Sequence, residues 1–485
     1  MNGMCSCFTD ILFGRGNSIT TFRGFAETHG FAAALTYSAF MDQFFKSVAR
    51  LGDAISICAF RGIKEVALRL TGPITRVASV LAPSANVRGP FPMGMQVSDC
   101  LFSQRFSPSS ASFRVFLWTA WQVFSKSLEG FKTLSPINTL PPQWQEMRNK
   151  LEAFSLFEHV DLELDLGAFA ELPLPALVQK ARMLGPYRCV WATEGVGHYH
   201  ADSHLSRGKS VNSIWNKQDA QNLPTASFVP LHAGIGLALA EQLLADVHGL
   251  NNAEFGTRII EFVQSCQSAF QREYVEIIYE ALGLATRNLY PHLTAKMHLC
   301  LAQANRELPE YFWHGVGRAL YFAPSSFLPG HSTPWPGLEL CLKEPPNQAC
   351  RRNAVAGFAW ALTLVNIRQP RIMMEFLACH GENLHEHEAI VNGICSALVI
   401  WSECCSNTND LNSMNQHQGD RRGSETKLWA QYVGEACRSA LLYCSANTGK
   451  EHLGQLFRYQ QGSTGFAAAN HPIPSNDKLL RLKSG

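Results

Sequence analysis

Apolar positions recur along most of this chain at the spacing of helices rather than strands. Phe31 to Ile57 has helical apolar spacing with few breakers, and Phe113 to Leu134 returns to the same pattern. Between them, residues 72–112 are rich in Pro, Gly and Ser, including Arg88-Gly-Pro-Phe-Pro-Met-Gly94, which predicts an irregular segment with room for short strands. Pro136 to Pro142 reads as a linker, and Glu152 to Leu164 fits no period clearly. A boundary near residue 150 separates a mostly helical N-terminal lobe, 1–150, from the remainder.

Beyond residue 180 one motif keeps returning: a polar or small residue, a glycine, an apolar residue, then an Ala-rich or aromatic helix. Its instances begin at Glu194-Gly-Val-Gly-His198, His232-Ala-Gly-Ile-Gly-Leu-Ala-Leu239, His314-Gly-Val-Gly-Arg-Ala-Leu320, Ala356-Gly-Phe-Ala-Trp-Ala-Leu362, Asn392-Gly-Ile-Cys-Ser-Ala-Leu398 and Gly434-Glu-Ala-Cys-Arg-Ser-Ala-Leu441. Their glycines at 197, 236, 317, 357, 393 and 434 are separated by 39, 81, 40, 36 and 41 residues, and Ala281-Leu-Gly-Leu-Ala285 is a weak member inside the double step. A period of about 40 residues is the length of two helices with two turns. The expected fold is therefore all-α: repeated helix hairpins over 151–460, closed into an α/α toroid or left open as a solenoid, with a loosely held tail at 461–485. Ala354 to Val365 and Ala389 to Trp401 are apolar on every face, which marks inner helices covered on all sides. Pro324 to Pro346 falls outside the repeat as a Pro/Gly-rich loop, and Cys405 to Glu425 as a polar stretch with no apolar period.

Composition narrows the functional classes. Charged residues are only 16% of the chain against 46% hydrophobic, so little material is left for a solvated surface and a large buried volume is expected. Thirty Phe and ten Trp fit either an ordinary core or an apolar cavity. With 41 basic and 39 acidic residues, no Lys/Arg run and no recognisable module, nucleic-acid binding is not expected. The 15 cysteines are scattered, and Cys5-Ser-Cys7 has neither zinc-finger spacing nor a second pair after it, so reduced thiols and a cytoplasmic location are expected. No cationic start precedes the first apolar stretch, which Asp10 interrupts, and no run of about 18 apolar residues escapes polar interruption, so neither a signal peptide nor a membrane span is expected.

Polar groups concentrate in Thr193-Glu194-Gly195-Val196-Gly197-His198-Tyr199-His200-Ala201-Asp202-Ser203-His204. On a helix Glu194, His198 and Asp202 share one face. Carboxylates on one face suit Mg²⁺, which prefers oxygen ligands; His198 and His200 suit a softer metal; and a helix start whose side chains satisfy one another explains the same residues without any ion. The residues at the repeat glycines, Glu194, His232, His314 and Asn392, line up on one rim in a curved stack, with Arg318 one turn on. Such a rim can hold a metal-complexed anion, or merely cap inner helices. His380-Gly-Glu382-Asn-Leu-His385-Glu386-His387-Glu388 lacks zincin spacing and precedes an apolar helix, where its acids favour the helix N-terminus. Phosphate-loop, dinucleotide and nucleophile-elbow motifs are missing, and so are the usual acidic clusters; Asn392-Gly-Ile-Cys-Ser396 starts a longer metal motif but position 400 is Ile.

Thr20-Thr-Phe-Arg-Gly-Phe25, Glu194-Gly195, His232 to Leu239 and Gly315-Val-Gly-Arg-Ala-Leu-Tyr-Phe322 resemble, in order and spacing, an uncharacterised family found in bacterial enediyne biosynthesis clusters. In overall character the chain also resembles the noncanonical fungal humulene synthases of tropolone sesquiterpenoid pathways. That resemblance implies an all-helical, Mg²⁺-dependent cyclase of secondary metabolism that converts farnesyl diphosphate to a cyclic hydrocarbon without the standard metal motifs. Under it, Glu194 and Asp202 are the expected catalytic metal ligands, with Asn392 as a further ligand. Arg318, His232 and His314 face the substrate, and Trp191, Trp313, Trp360 and Leu284 form the pocket wall. The alternative is a noncatalytic helical-repeat accessory protein that binds a polyketide intermediate or its synthase.

Overall fold

The computed structural model describes residues 142–460, apart from 159, 165, 167–171, 216–220, 323–334, 382–383, 385, 406–409, 411–413, 415–423 and 447–452. The N-terminal lobe up to residue 141, the tail at 461–485, most of the polar stretch, residues 323–334 and Glu382 and His385 lie outside the described residues. The described part of the expected Pro/Gly-rich loop is not all loop, because Pro336–Lys343 forms a short helix with Pro336 in its first turn. Among the described residues 83% are helical and no strand occurs, so the described part is all-α.

The first described helices are α1 (Pro142–Glu158), α2 (Val160–Glu163), α3 (Leu174–Arg182), α4 (Pro186–Ser206) and α5 (Phe228–Val247). There follow α6 (Asn252–Ala269), α7 (Val275–Leu289), α8 (Thr294–Ala304), α9 (Leu308–Tyr321), α10 (Pro336–Lys343) and α11 (Gln348–Val365). Last come α12 (Pro370–His380), α13 (His387–Cys404), α14 (Ser424–Trp429) and α15 (Glu435–Ala446), with a π-helical turn at Ala430–Gly434 before α15. Several starts are legible locally. Pro occupies the first turn of α3, α4, α9, α10 and α12, where its missing N–H costs nothing. Asn251 caps α6 in a capping box with Glu254, and Asn347 caps α11 through the amide of Cys350.

Alternate helices pack directly on one another: α4 on α5, α5 on α7, α7 on α9, α9 on α11, α11 on α13, and α13 on α15. The motif glycines sit at most of these crossings. A Cβ at Gly197 would strike the carbonyl of Leu231, and one at Gly234 the carbonyl of Glu194, so α4 and α5 are pressed together from both sides. Gly315 and Gly317 do the same for α9, against Glu280 of α7 and Ala354 of α11. Only a hydrogen fits at such contacts, which is why the glycines recur. Gly434 differs. It belongs to the π turn, and a Cβ there would meet nothing nearer than Arg438 Nη1 at 3.6 Å, so the last motif marks a local helix irregularity instead of a tight crossing.

Ala354 to Val365 and Ala389 to Trp401 are buried at every position, as their unbroken apolar character implies. Thr225–Val247, which includes α5, is long and apolar enough to cross a membrane by length and composition alone, yet it lies between α4 and α7 with 78% of its apolar window buried.

Candidate functional site

α4 carries Glu194 into the interior because the glycines beside it let the helix sink. A Cβ at Gly195 would lie 2.6 Å from the carbonyl oxygen of Phe157 on α1, so α4 is also held closely against α1. Glu194 is 4% exposed, and its Oε1 accepts a hydrogen bond from Arg318 Nη2 at 2.5 Å. Arg318 lies one turn after His314 on α9, so both side chains leave the same face. Its Nη1 donates to Glu280 Oε2 of α7 at 3.4 Å, and His314 Nδ1 lies 3.4 Å from Glu280 Oε1. Glu280 and His314 have no exposed surface. The guanidinium carbon sits 5.0 Å from the ring centre of Trp360 on α11, a cation–π contact worth about 2 kcal/mol when desolvated. Phe457 completes this side, 5.9 Å from His314 and 5.6 Å from Trp360 between ring centres.

Two carboxylates share one guanidinium here. Burial pushes the Glu194 carboxyl up from the usual carboxylate range, against the pull of Arg318. Burial also works against the charge on Arg318, but Glu194 and Glu280 together outweigh it and hold the guanidinium protonated. Removing one partner of such a buried pair costs about 3–5 kcal/mol, because the other charge is left uncompensated. Arg318 Nε, His314 Nε2 and Trp360 Nε1 are buried and have no hydrogen-bond partner among the described residues. Each orphan costs about 1–3 kcal/mol, so three at one cluster need a reason.

The other expected site residues are dispersed. Asp202 is on α4 and half-buried, eight residues after Glu194 and therefore about 12 Å along the helix axis. One Mg²⁺ with ligands at about 2.1 Å does not join carboxylates two turns apart. No group of three His, Cys, Asp or Glu side chains among the described residues could hold a metal ion. The residues present thus do not fit the expected Mg²⁺ pair, and the nearer contact of Glu194 is a cation, Arg318. Asn392 on α13 is buried, and its Nδ2 has no hydrogen-bond partner among the described residues.

His232 occupies a separate aromatic box. Its Nδ1 donates to the carbonyl of Phe228 at 2.7 Å, and Trp215, Tyr274 and Phe270 surround the ring at 4.4, 4.9 and 5.9 Å between centres. Trp191, Trp313 and Leu284 pack into the continuous core, with Trp313 Nε1 donating to His298 Nδ1 at 3.2 Å. His198 meets Glu241 of α5 at 3.2 Å. Of the second acidic run, Glu388 lies in the first turn of α13 as expected and accepts from the Tyr459 hydroxyl, while Glu386 pairs with Arg352. A partly open recess of about 20 Å³ between α4, α5 and α13 is lined by Arg182, Cys189, Thr193, Pro230 and Cys404, among others, and by no member of the charged cluster.

The structure therefore joins Glu194, Arg318, His314 and Trp360 and adds Glu280, which motif reading passed over. A signal was present: Glu280 stands three residues before Gly283, as Glu194 does before Gly197 and His314 before Gly317. Compared with protein-family models, curated proteins and solved structures, the chain matches none.

Proposed function

We propose that the chain is a sesquiterpene cyclase that converts farnesyl diphosphate to a cyclic hydrocarbon such as humulene. The observation that carries this reading is the buried cluster of Glu194, Glu280 and Arg318 against Trp360, with two carboxylates on its one arginine. Breaking the allylic C–O bond of an isoprenyl diphosphate sends both bonding electrons out with the released diphosphate and leaves a carbocation, which needs electron-rich oxygens and aromatic faces in a place without water. Glu194 and Glu280 supply carboxylate oxygens in a low-dielectric interior, Trp360 and Phe457 supply the rings, and Arg318 holds the two carboxylates in place. The recurrence of glycine motifs and the packing of alternate helices support stacked helix pairs, closed as a toroid or open as a solenoid.

A second reading has one observation in its favour. Trp191, Trp313 and Leu284 are part of a continuous packed core, as in a helical-repeat accessory protein that binds a polyketide intermediate or its synthase without catalysis. The two separate on incubation of the purified chain with farnesyl diphosphate and analysis of the headspace for volatile hydrocarbon, with Mg²⁺ and with chelator in parallel. A cyclic hydrocarbon is expected, and Glu194→Ala or Glu280→Ala lowers its formation about a hundredfold, the size of losing one preorganised electrostatic group. Asp202→Ala leaves it within a few-fold. Folded wild-type protein that releases no hydrocarbon under either condition rules the cyclase out.

A further inference from the structure

Carbocation chemistry ends when a base removes a proton, and the cluster contains a group built like one. His314 is fully buried, and its Nδ1 faces Glu280 Oε1 at 3.4 Å, while its Nε2 has no hydrogen-bond partner among the described residues. The close approach that makes this contact is local: Gly315, next to His314, lets α9 press onto the backbone of Glu280. Arg318 Nη1 donates to the other carboxylate oxygen of Glu280 at 3.4 Å, which leaves Oε1 to face the imidazole. Trp360 and Phe457 flank the imidazole edge-on, with ring centres 6.3 and 5.9 Å away. A carboxylate on one ring nitrogen and a free second nitrogen beside aromatic rings is the arrangement of an oriented general base. His232 also has a buried Nε2 with no hydrogen-bond partner among the described residues, but its Nδ1 faces a backbone carbonyl, which cannot balance the charge of an imidazolium as the Glu280 carboxylate can.

We propose that Glu280 and His314 form a proton-transfer dyad, in which Glu280 accepts from Nδ1–H and Nε2 takes the proton that ends the reaction. The C–H bond next to the cationic carbon breaks, its electron pair becomes the C=C bond, and the proton passes to Nε2. The resulting imidazolium is stabilised by Glu280 and returns its proton to water on product release. The role rests on the cyclase reading; the dyad's geometry does not.

Two experiments on the full chain separate these. In protein labelled with ¹⁵N-histidine, the resonances missing from a His314→Gln spectrum belong to His314. Wild type is expected to carry the proton on Nδ1, and Glu280→Gln, whose amide donates to that nitrogen, is expected to move it to Nε2. An Nε2–H tautomer in wild type, or no change in Glu280→Gln, overturns the dyad whether or not a substrate is known. With farnesyl diphosphate, the readout for His314→Gln is how product partitions, whatever its rate of diphosphate release. Its ratio of hydrocarbon to water-quenched alcohol falls at least tenfold, and added imidazole restores the hydrocarbon in His314→Ala. An unchanged product ratio in folded His314→Gln overturns the role and leaves the cyclase reading standing. Wild type that consumes no farnesyl diphosphate overturns the cyclase reading and this role with it, while the tautomer measurement still decides the dyad.

Discussion

Among individual residues, His232 has the sharpest consequence for behaviour in solution. Burial pushes its imidazole down from 6.5 to about 4, opposed only by the hydrogen bond to the Phe228 carbonyl. The folded protein therefore keeps His232 neutral at a pH where the unfolded chain binds a proton. Stability is fully present above 6.5 and is lost as pH falls from there toward 4, by at most about 3 kcal/mol. His232→Phe suits the box of Trp215, Tyr274 and Phe270 and cannot titrate. The difference in unfolding free energy between wild type and this variant should narrow or invert across that window. Parallel curves would mean that His232 is accessible to protons in the folded state. The charged cluster makes the same point by contrast: Glu194 tolerates burial through Arg318, whereas His232 tolerates it by remaining uncharged.

At the scale of helices, glycine sorts into two kinds. Gly317 lies at the crossing of α9 and α11, where an added Cβ would strike the Ala354 carbonyl oxygen. Backbone cannot move aside as a side chain can, so Gly317→Ala should cost about 1–3 kcal/mol or more. Gly256, inside α6, has nothing within 4 Å of its added Cβ. Gly256→Ala should therefore gain about 0.5–1 kcal/mol by lowering the entropy of the unfolded chain. Denaturant midpoints at constant m-value check both, and equal effects of the two changes would dismiss the close-packing account. The same crossings explain α5. A helix apolar enough for a membrane is here hidden between α4 and α7, its apolar face used against protein.

For the whole molecule, the thiols report how much of the chain is interior. The 11 cysteines among the described residues are all free, and of them only Cys379 is exposed. Burial pushes Cys266, Cys341, Cys395 and Cys404 well above the usual thiol range, so the reactive thiolate is scarce in the folded state. Among the described positions, a thiol reagent at neutral pH should label Cys379 first in native protein. After denaturation without reductant, with air oxidation blocked, it should count close to all 15 cysteines. A denatured count near zero would show that the cysteines are paired.

Sequence alone determined the all-helical class of the described residues, the interior helices and, Gly434 apart, the glycine crossings, because each depends on periodicity or on the size of one residue. It also picked out Glu194, His314 and Arg318, since polar residues in long apolar stretches stand out whatever the fold. Tertiary structure alone decided what those residues touch. Glu194 and Asp202 share a helix face, yet lie two turns apart, and Glu194 finds Arg318, 124 positions later in the chain. Glu280 joins them although its motif is weak, because α7 is pinned between α5 and α9. Local spacing fixes which face a side chain leaves; the element packed against that face, and so the charge it meets, is set by helix crossings far apart in sequence.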